Sequence, residues 1–334
     1  MNAPSHSINS FLVWKKLNTP IKIDYRLMGM HAVGADILIA PDFDLFERQH
    51  KEGTKDFFIT FIKYIKEYNL QDNPEVMACL YGNINHLVSD AITHPMIYYM
   101  TEGIKKDYWV DYHGLSEYLI DDYFMKKYKF DKEYFFYDET HIKTPELIEI
   151  LSKTYEEVYG VKNEGSKYDL GILLTYMFHV LYRKNLLNIP KTFTKLTFLK
   201  DKIDKSIQKK DVDTDGLGDL LYHDNIEPAS FFMNMDHKEW TNPMTGEVST
   251  ESFEDLFNKA VEETIKTIKD VNNYIYNDIP LTNSYILNNT SYNTGLPCEL
   301  GQDFKYLKEY DEEEIKSIRE ALNIPDNTKE KSKN

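Results

Sequence analysis

The chain has 334 residues, of which 42% are hydrophobic and 28% charged, and its 55 acidic against 39 basic side chains give a formal net charge of -16. So acidic a surface excludes broad binding along a phosphate backbone, which needs a positive field. Cys79 and Cys298 are the only cysteines, which excludes a disulfide framework and speaks against thiolate zinc ligation.

Helical periodicity opens over Ser5 to Leu17, with Ser5 as the expected N-cap and Ile8, Phe11, Leu12 and Leu17 on the apolar side. From Asn18 to Glu52 the pattern breaks at Pro20, Gly29, Gly34 and Pro41, and the stretch is expected to be irregular and functional. Thr54 to Tyr68 returns to helical period. Pro74 suits the first turn of a helix from Asn73 to about His94, with Pro95 expected to end or kink it. Further helices are expected over Asp107 to Lys127, Thr144 to Tyr159, Lys167 to Asn185, Phe193 to Lys209, Ser249 to Tyr276 and Asp311 to Leu322. Strand alternation is scarce, so the fold class is all-α with at most a minor hairpin. One domain over 1–325 is expected, with 186–325 as an alternative peripheral subdomain and 326–334 as a disordered tail. No run of 18 apolar residues spans a membrane, and the N-terminus lacks a basic start and apolar core, so the expected location is cytoplasmic.

The chemistry gathers in Tyr81 to Pro95. His86, Asp90 and His94 recur every four residues, which places them on one helix face. Two imidazoles and a carboxylate on a buried stripe are costly unless something binds them, and a divalent metal would. The plain alternative is a partly exposed polar face. His113 and Glu117 share a face on the next helix, where a surface pair is the ordinary explanation. Asp36 lies between apolar residues, His50 follows it after 13 others, and His6 sits in the first helix. Each alone can be a cap or turn residue.

Taken together, Asp36-x13-His50, His86-x3-Asp90, His94, His113-x3-Glu117 and the early His6 resemble the zinc-dependent phospholipases C. The segment Asn234 to Pro243, with the Glu-Ser-Phe-Glu that follows, is similar to a second-half motif of the same relatives. The resemblance implies an all-α domain holding Zn2+, two or three ions. Asp36, His50, His86 and Asp90 would hold one ion, and His94, His113 and Glu117 a second. His6, Asp90 and the Met1 amine would hold a third, with Asp90 bridging. It also implies hydrolysis of a phosphodiester in a phospholipid or other small substrate, with Asp36 as the base. Such ions would clamp the ester oxygens and lower the pKa of bound water.

Two other readings stay open: a single-strand nuclease-type phosphodiesterase, disfavoured by the acidic chain, and a non-catalytic protein stabilised by metal. Asp211 to Gly216 mimics the start of an EF-hand, but Tyr222 stands where the bidentate acid belongs. His31 is an alternative to His6 as a ligand. His141, His223 and His237 are expected in surface or turn roles, and His179 in the core. Trp240 could line the cleft or merely pack.

Overall fold

The computed structural model describes residues 1–104, 112–130, 144–183 and 230–321, with side chains excepted over 176–183 and 230–231. The expected helix over 193–209, the EF-hand-like segment, His141, His223 and the tail 326–334 lie outside the described residues, as does the side chain of His179.

The described residues are helical apart from a short hairpin. Its strands are β1 (Trp240–Thr241) and β2 (Val248–Ser249), paired antiparallel. In chain order the helices are α1 (Ala3–Lys16), α2 (Tyr25–His31), a 3-10 turn (Gly34–Leu38), α3 (Phe43–Lys51), α4 (Thr54–Glu67), α5 (Pro74–Thr101), α6 (Tyr112–Tyr128), α7 (Pro145–Tyr159) and α8 (Glu164–Arg183). After the hairpin region, which α9 (Ser230–Met233) precedes, come α10 (Phe253–Asn277), α11 (Ser284–Leu287), a second 3-10 turn (Cys298–Leu300) and α12 (Glu312–Ala321). Among the described residues no helix is long and apolar enough to cross a membrane.

α5 is the axis. It is buried on nearly every face, because apolar residues surround it rather than forming one stripe. α1, α2, α6 and α10 all pack on it. α10 shows the complementary pattern: Leu256, Phe257, Ala260, Val261, Thr264 and Ile268 recur at helical spacing and are buried. Its start is fixed by a capping box in which Ser252 and Asp255 satisfy each other's backbone amides. That cap places the helix start a turn later than Ser249, which belongs to β2.

Three expectations are corrected. Asn2, not Ser5, is the N-cap of α1, since Pro4 already fits the first turn. Ser5 instead turns across to Asp121, whose Oδ1 accepts from its amide at 3.0 Å and its hydroxyl at 2.5 Å. The stretch 18–52 is not structureless. It folds into α2, the first 3-10 turn and α3, each too short to display a period. Finally, Pro95 does not end α5, which runs on to Thr101. An internal proline costs about 3 kcal/mol. Met96, Ile97 and Met100, all buried beyond it, each return about 1.5–3 kcal/mol on the transfer scale.

Candidate metal centre

Each expected ligand is delivered by a different local device. His86, Asp90 and His94 project from the middle of α5, one turn apart. His113 and Glu117 do the same on α6. Asp36 sits in the first 3-10 turn, which Gly34 allows to pass directly against His86. Gly34 has φ of +56°, and a Cβ there would stand 2.4 Å from His86 Cγ. His50 ends α3, and His6 is buried in α1.

The structure brings all eight side chains together. His50 Nε2 lies 3.1 Å from Asp36 Oδ1, and His86 Nε2 lies 3.8 Å from the same oxygen. His86 Nε2 is also 3.3 Å from Asp90 Oδ2, while His6 Nε2 is 3.1 Å from Asp90 Oδ1. On the other side of Asp90, Glu117 Oε1 meets His94 Nε2 at 3.2 Å and His113 Nε2 at 3.4 Å. The buried Met1 amine lies 2.8 Å from Glu117 Oε1, 3.3 Å from Asp90 Oδ1 and 3.4 Å from His94 Nε2. Three sets of ligand atoms lie within 4.8 Å of one another: His6, Asp36 and His86; His50, His86 and Asp90; and His94, His113 and Glu117. His6, which the resemblance grouped with Asp90 and the amine, thus reaches Asp36 and His86 as well. Asp90 touches members of every set.

The far sides of the rings explain their orientation. Nδ1 of His50 faces the Phe46 carbonyl at 2.8 Å, Nδ1 of His86 the Ala32 carbonyl at 3.2 Å, and Nδ1 of His94 the Tyr292 carbonyl at 3.0 Å. A carbonyl only accepts, so these rings carry their proton on Nδ1. His6 Nδ1 lies 3.0 Å from Ser89 Oγ, which gives its own proton to the Asn85 carbonyl at 2.7 Å. With Nδ1 engaged behind, the Nε2 edge of each ring faces carboxylate oxygens. A lone pair on Nε2 is repelled by those oxygens unless a metal ion or a proton lies between them. Among the described residues, Nε2 of His6 and His86 and Oδ2 of Asp90 find no hydrogen-bond partner, although all three are buried.

The charge balance has the same character. Burial, then His6, pushes His86 down to about 3, so its ring is neutral. Burial pushes Asp90 up, but His94, the Met1 amine, His6 and His86 together hold it well below the usual carboxylate range. Glu117 is also held well below it, burial being outweighed by the amine and His113. The Met1 amine is raised to about 11: burial lowers it, and Asp90 and Glu117 more than compensate. A cluster of imidazoles and ionised carboxylates, without thiolate, is compatible with zinc.

Residues 13–164 match the family model described as zinc dependent phospholipase C. Over that stretch the chain is similar to the zinc-dependent phospholipases C. This phospholipase C match includes seven of the eight ligand candidates, all but His6. It also agrees with the helical fold. No curated protein and no solved structure matches the chain.

Several residues stand apart from this cluster. His31 lies with Tyr168 Oη at 3.2 Å from its Nδ1 and belongs to none of the three sets. His237 is exposed, with Nδ1 3.1 Å from the Thr250 carbonyl. Trp240, in β1, is buried with its ring 6.3 Å from that of Tyr99 and its Nε1 donating to the Glu251 carbonyl at 3.0 Å. Two neighbours of the cluster escaped the sequence reading. Tyr98 continues the α5 stripe one turn past His94, with its ring 4.9 Å from that of His113. Extending the four-residue spacing by one step would have found it. Tyr292 reaches the site from far along the chain, and no local pattern marks it.

Proposed function

We propose that the chain is a zinc-dependent phosphodiesterase acting on the headgroup ester of a phospholipid or a similar small phosphodiester. The observation that supports it is the set of Nε2 edges turned onto shared buried carboxylates, an arrangement that metal ions between them would satisfy. Asp36, His50, His86 and Asp90 would hold one zinc, His94, His113 and Glu117 another, and His6 with Asp90 and the Met1 amine a third. Zinc in such a site supplies Lewis acidity and charge neutralisation to a phosphate ester and lowers the pKa of water.

The chain's own groups have distinct tasks. The Nδ1 anchors hold the imidazoles in one orientation, so the donor set is preorganised. Asp90, 1% exposed, neutralises several partners and is shut off from solvent. The Asp36 side chain is 25% exposed and is held ionised: burial raises it, but His86 and His50 pull it below the ordinary range. With one oxygen beside His50, its other oxygen would be the group to accept a proton from the attacking water. His113, 24% exposed, lies at the same open side.

Purified wild type should contain zinc and hydrolyse a chromogenic phosphocholine ester faster than it degrades single-stranded DNA. His86→Ala should lose both metal and turnover. A wild type free of zinc after growth in zinc-supplemented medium ends the proposal. Zinc-loaded protein inert toward every phosphodiester tested leaves only a metal-stabilised structural role.

A further inference from the structure

Beyond the matched residues 13–164, the chain folds a small polar loop into the metal centre. Cys298 N donates to the Asn289 carbonyl and Ser291 N to the Leu296 carbonyl, both at 2.8 Å, and Gly295 N to the Ser291 carbonyl at 3.0 Å. Thr290 and Pro297 form a bridge, so the loop is closed on itself. Segments of this composition ordinarily lie on the surface. Here Thr290, Ser291, Tyr292, Asn293 and Thr294 are all buried.

Their contacts explain why. The Tyr292 carbonyl receives His94 Nδ1 at 3.0 Å. The Tyr292 amide donates to the His50 carbonyl at 3.1 Å, and Ser291 Oγ donates to the same carbonyl at 3.0 Å. The Tyr292 ring packs between two imidazoles, its centroid 5.1 Å from that of His50 and 5.5 Å from that of His86. Its hydroxyl makes no well-formed hydrogen bond among the described residues. One dipeptide therefore touches three ligand candidates on two different helices, and it touches them from behind.

We infer that the Thr290–Pro297 loop sets the orientation of the imidazoles on α3 and α5 for metal binding, with Ser291 and Tyr292 as positioning residues. This rests on the zinc reading above. The ring contributes as a packing wedge, and the backbone as the anchor of His94 and His50. Partners of this kind behind a ligand are typically worth about 10–100-fold in metal affinity.

The test uses the full chain loaded with zinc and follows release of the metal to a chromophoric chelator, with far-UV circular dichroism to verify the fold. Tyr292→Ala should release zinc about 10–100-fold faster than wild type. Ser291→Ala should shift the rate in the same direction by less. Tyr292→Phe, which keeps the wedge, should match wild type. So should Tyr310→Phe, which removes a hydroxyl bonded to the Met100 carbonyl in the same part of the chain. The inference is overturned if Tyr292→Ala holds zinc as tightly as wild type, or if Tyr292→Phe loses it as fast as Tyr292→Ala. Should Tyr292→Ala not fold, a Ser291→Ala rate equal to wild type overturns it. Wild type that takes up no zinc refutes the metal reading itself, a separate result.

Discussion

Replacing Gly34 with alanine should damage both the fold and the metal centre. The residue has φ of +56°, a left-handed conformation that costs alanine about 1–2 kcal/mol. The new methyl would meet His86 Cγ at 2.4 Å, Cβ at 2.5 Å and Cδ2 at 2.6 Å. Carbon contacts settle at about 3.5–4.0 Å, so one side must move by about 1 Å. His86 is fixed by the α5 backbone and by its Nδ1 bond to Ala32, so the displacement falls on the turn that carries Asp36. Overpacking of this kind adds about 1–3 kcal/mol, for a total of about 2–5 kcal/mol. Typical net stability is about 5–15 kcal/mol. With an m-value of about 3 kcal/mol/M, the urea midpoint should fall by about 0.7–1.7 M. Gly160→Ala is the matched control. It has φ of +72°, but nothing stands within 4 Å of an added Cβ, so only the backbone cost applies. The measurement is urea unfolding of both variants with and without chelator, together with zinc content. If Gly34→Ala is no less stable than Gly160→Ala and keeps its zinc, the assigned contact between the Asp36 turn and His86 is wrong.

Other outcomes follow from single contacts. Tyr81→Phe removes the hydroxyl that donates to Asn272 Oδ1 at 2.5 Å between α5 and α10. It should cost about 1–3 kcal/mol in urea melts and leave zinc content unchanged, whereas metal loss would mean that this link reaches the centre. Glu117→Gln should reduce zinc by one ion per chain in elemental analysis, since the amine, His94 and His113 all face that carboxylate. An unchanged count would remove Glu117 from the ligand set. Burial raises Asp121 to about 7, against its two hydrogen bonds from Ser5. Between the ordinary carboxylate range near pH 4 and pH 7, the unfolded chain releases a proton that the folded chain keeps. Wild type should therefore lose stability as pH rises through that window, by a few kcal/mol in order of magnitude. Asp121→Asn lacks this dependence and should gain on wild type from pH 5 to pH 8 in chelator-treated melts. A pH-independent gap between the two would contradict the raised value.

The helical class is legible because α4, α7 and α10 carry clear apolar periods, with recognisable starts at Thr54 and Pro145. The region before residue 52 is not, since helices of seven and nine residues flanking a 3-10 turn are shorter than the window in which a period shows. Pro95 misleads for a different reason. Its local cost is offset by burial of residues that follow it, which only tertiary packing reveals. Within the centre, spacing marks His86, Asp90 and His94 on one face and His113 with Glu117 on another, whereas Asp36, His50 and His6 join them only through the family resemblance. Their anchors are not marked. Ala32, Phe46 and Tyr292 act through main-chain carbonyls, and any residue could supply those.

The Tyr292 carbonyl lies 198 positions beyond the His94 ring that it holds. At synthesis rates of about 5–20 residues per second, a ribosome needs roughly 10–40 s to cross that distance. During that interval α5 can already be emerging, but the back wall of the centre does not yet exist. If the Thr290–Pro297 loop positions the imidazoles as inferred, tight metal capture would wait until that loop has been made. A nascent fragment ending near residue 164 would then hold its imidazoles loosely and exchange ions freely with its surroundings.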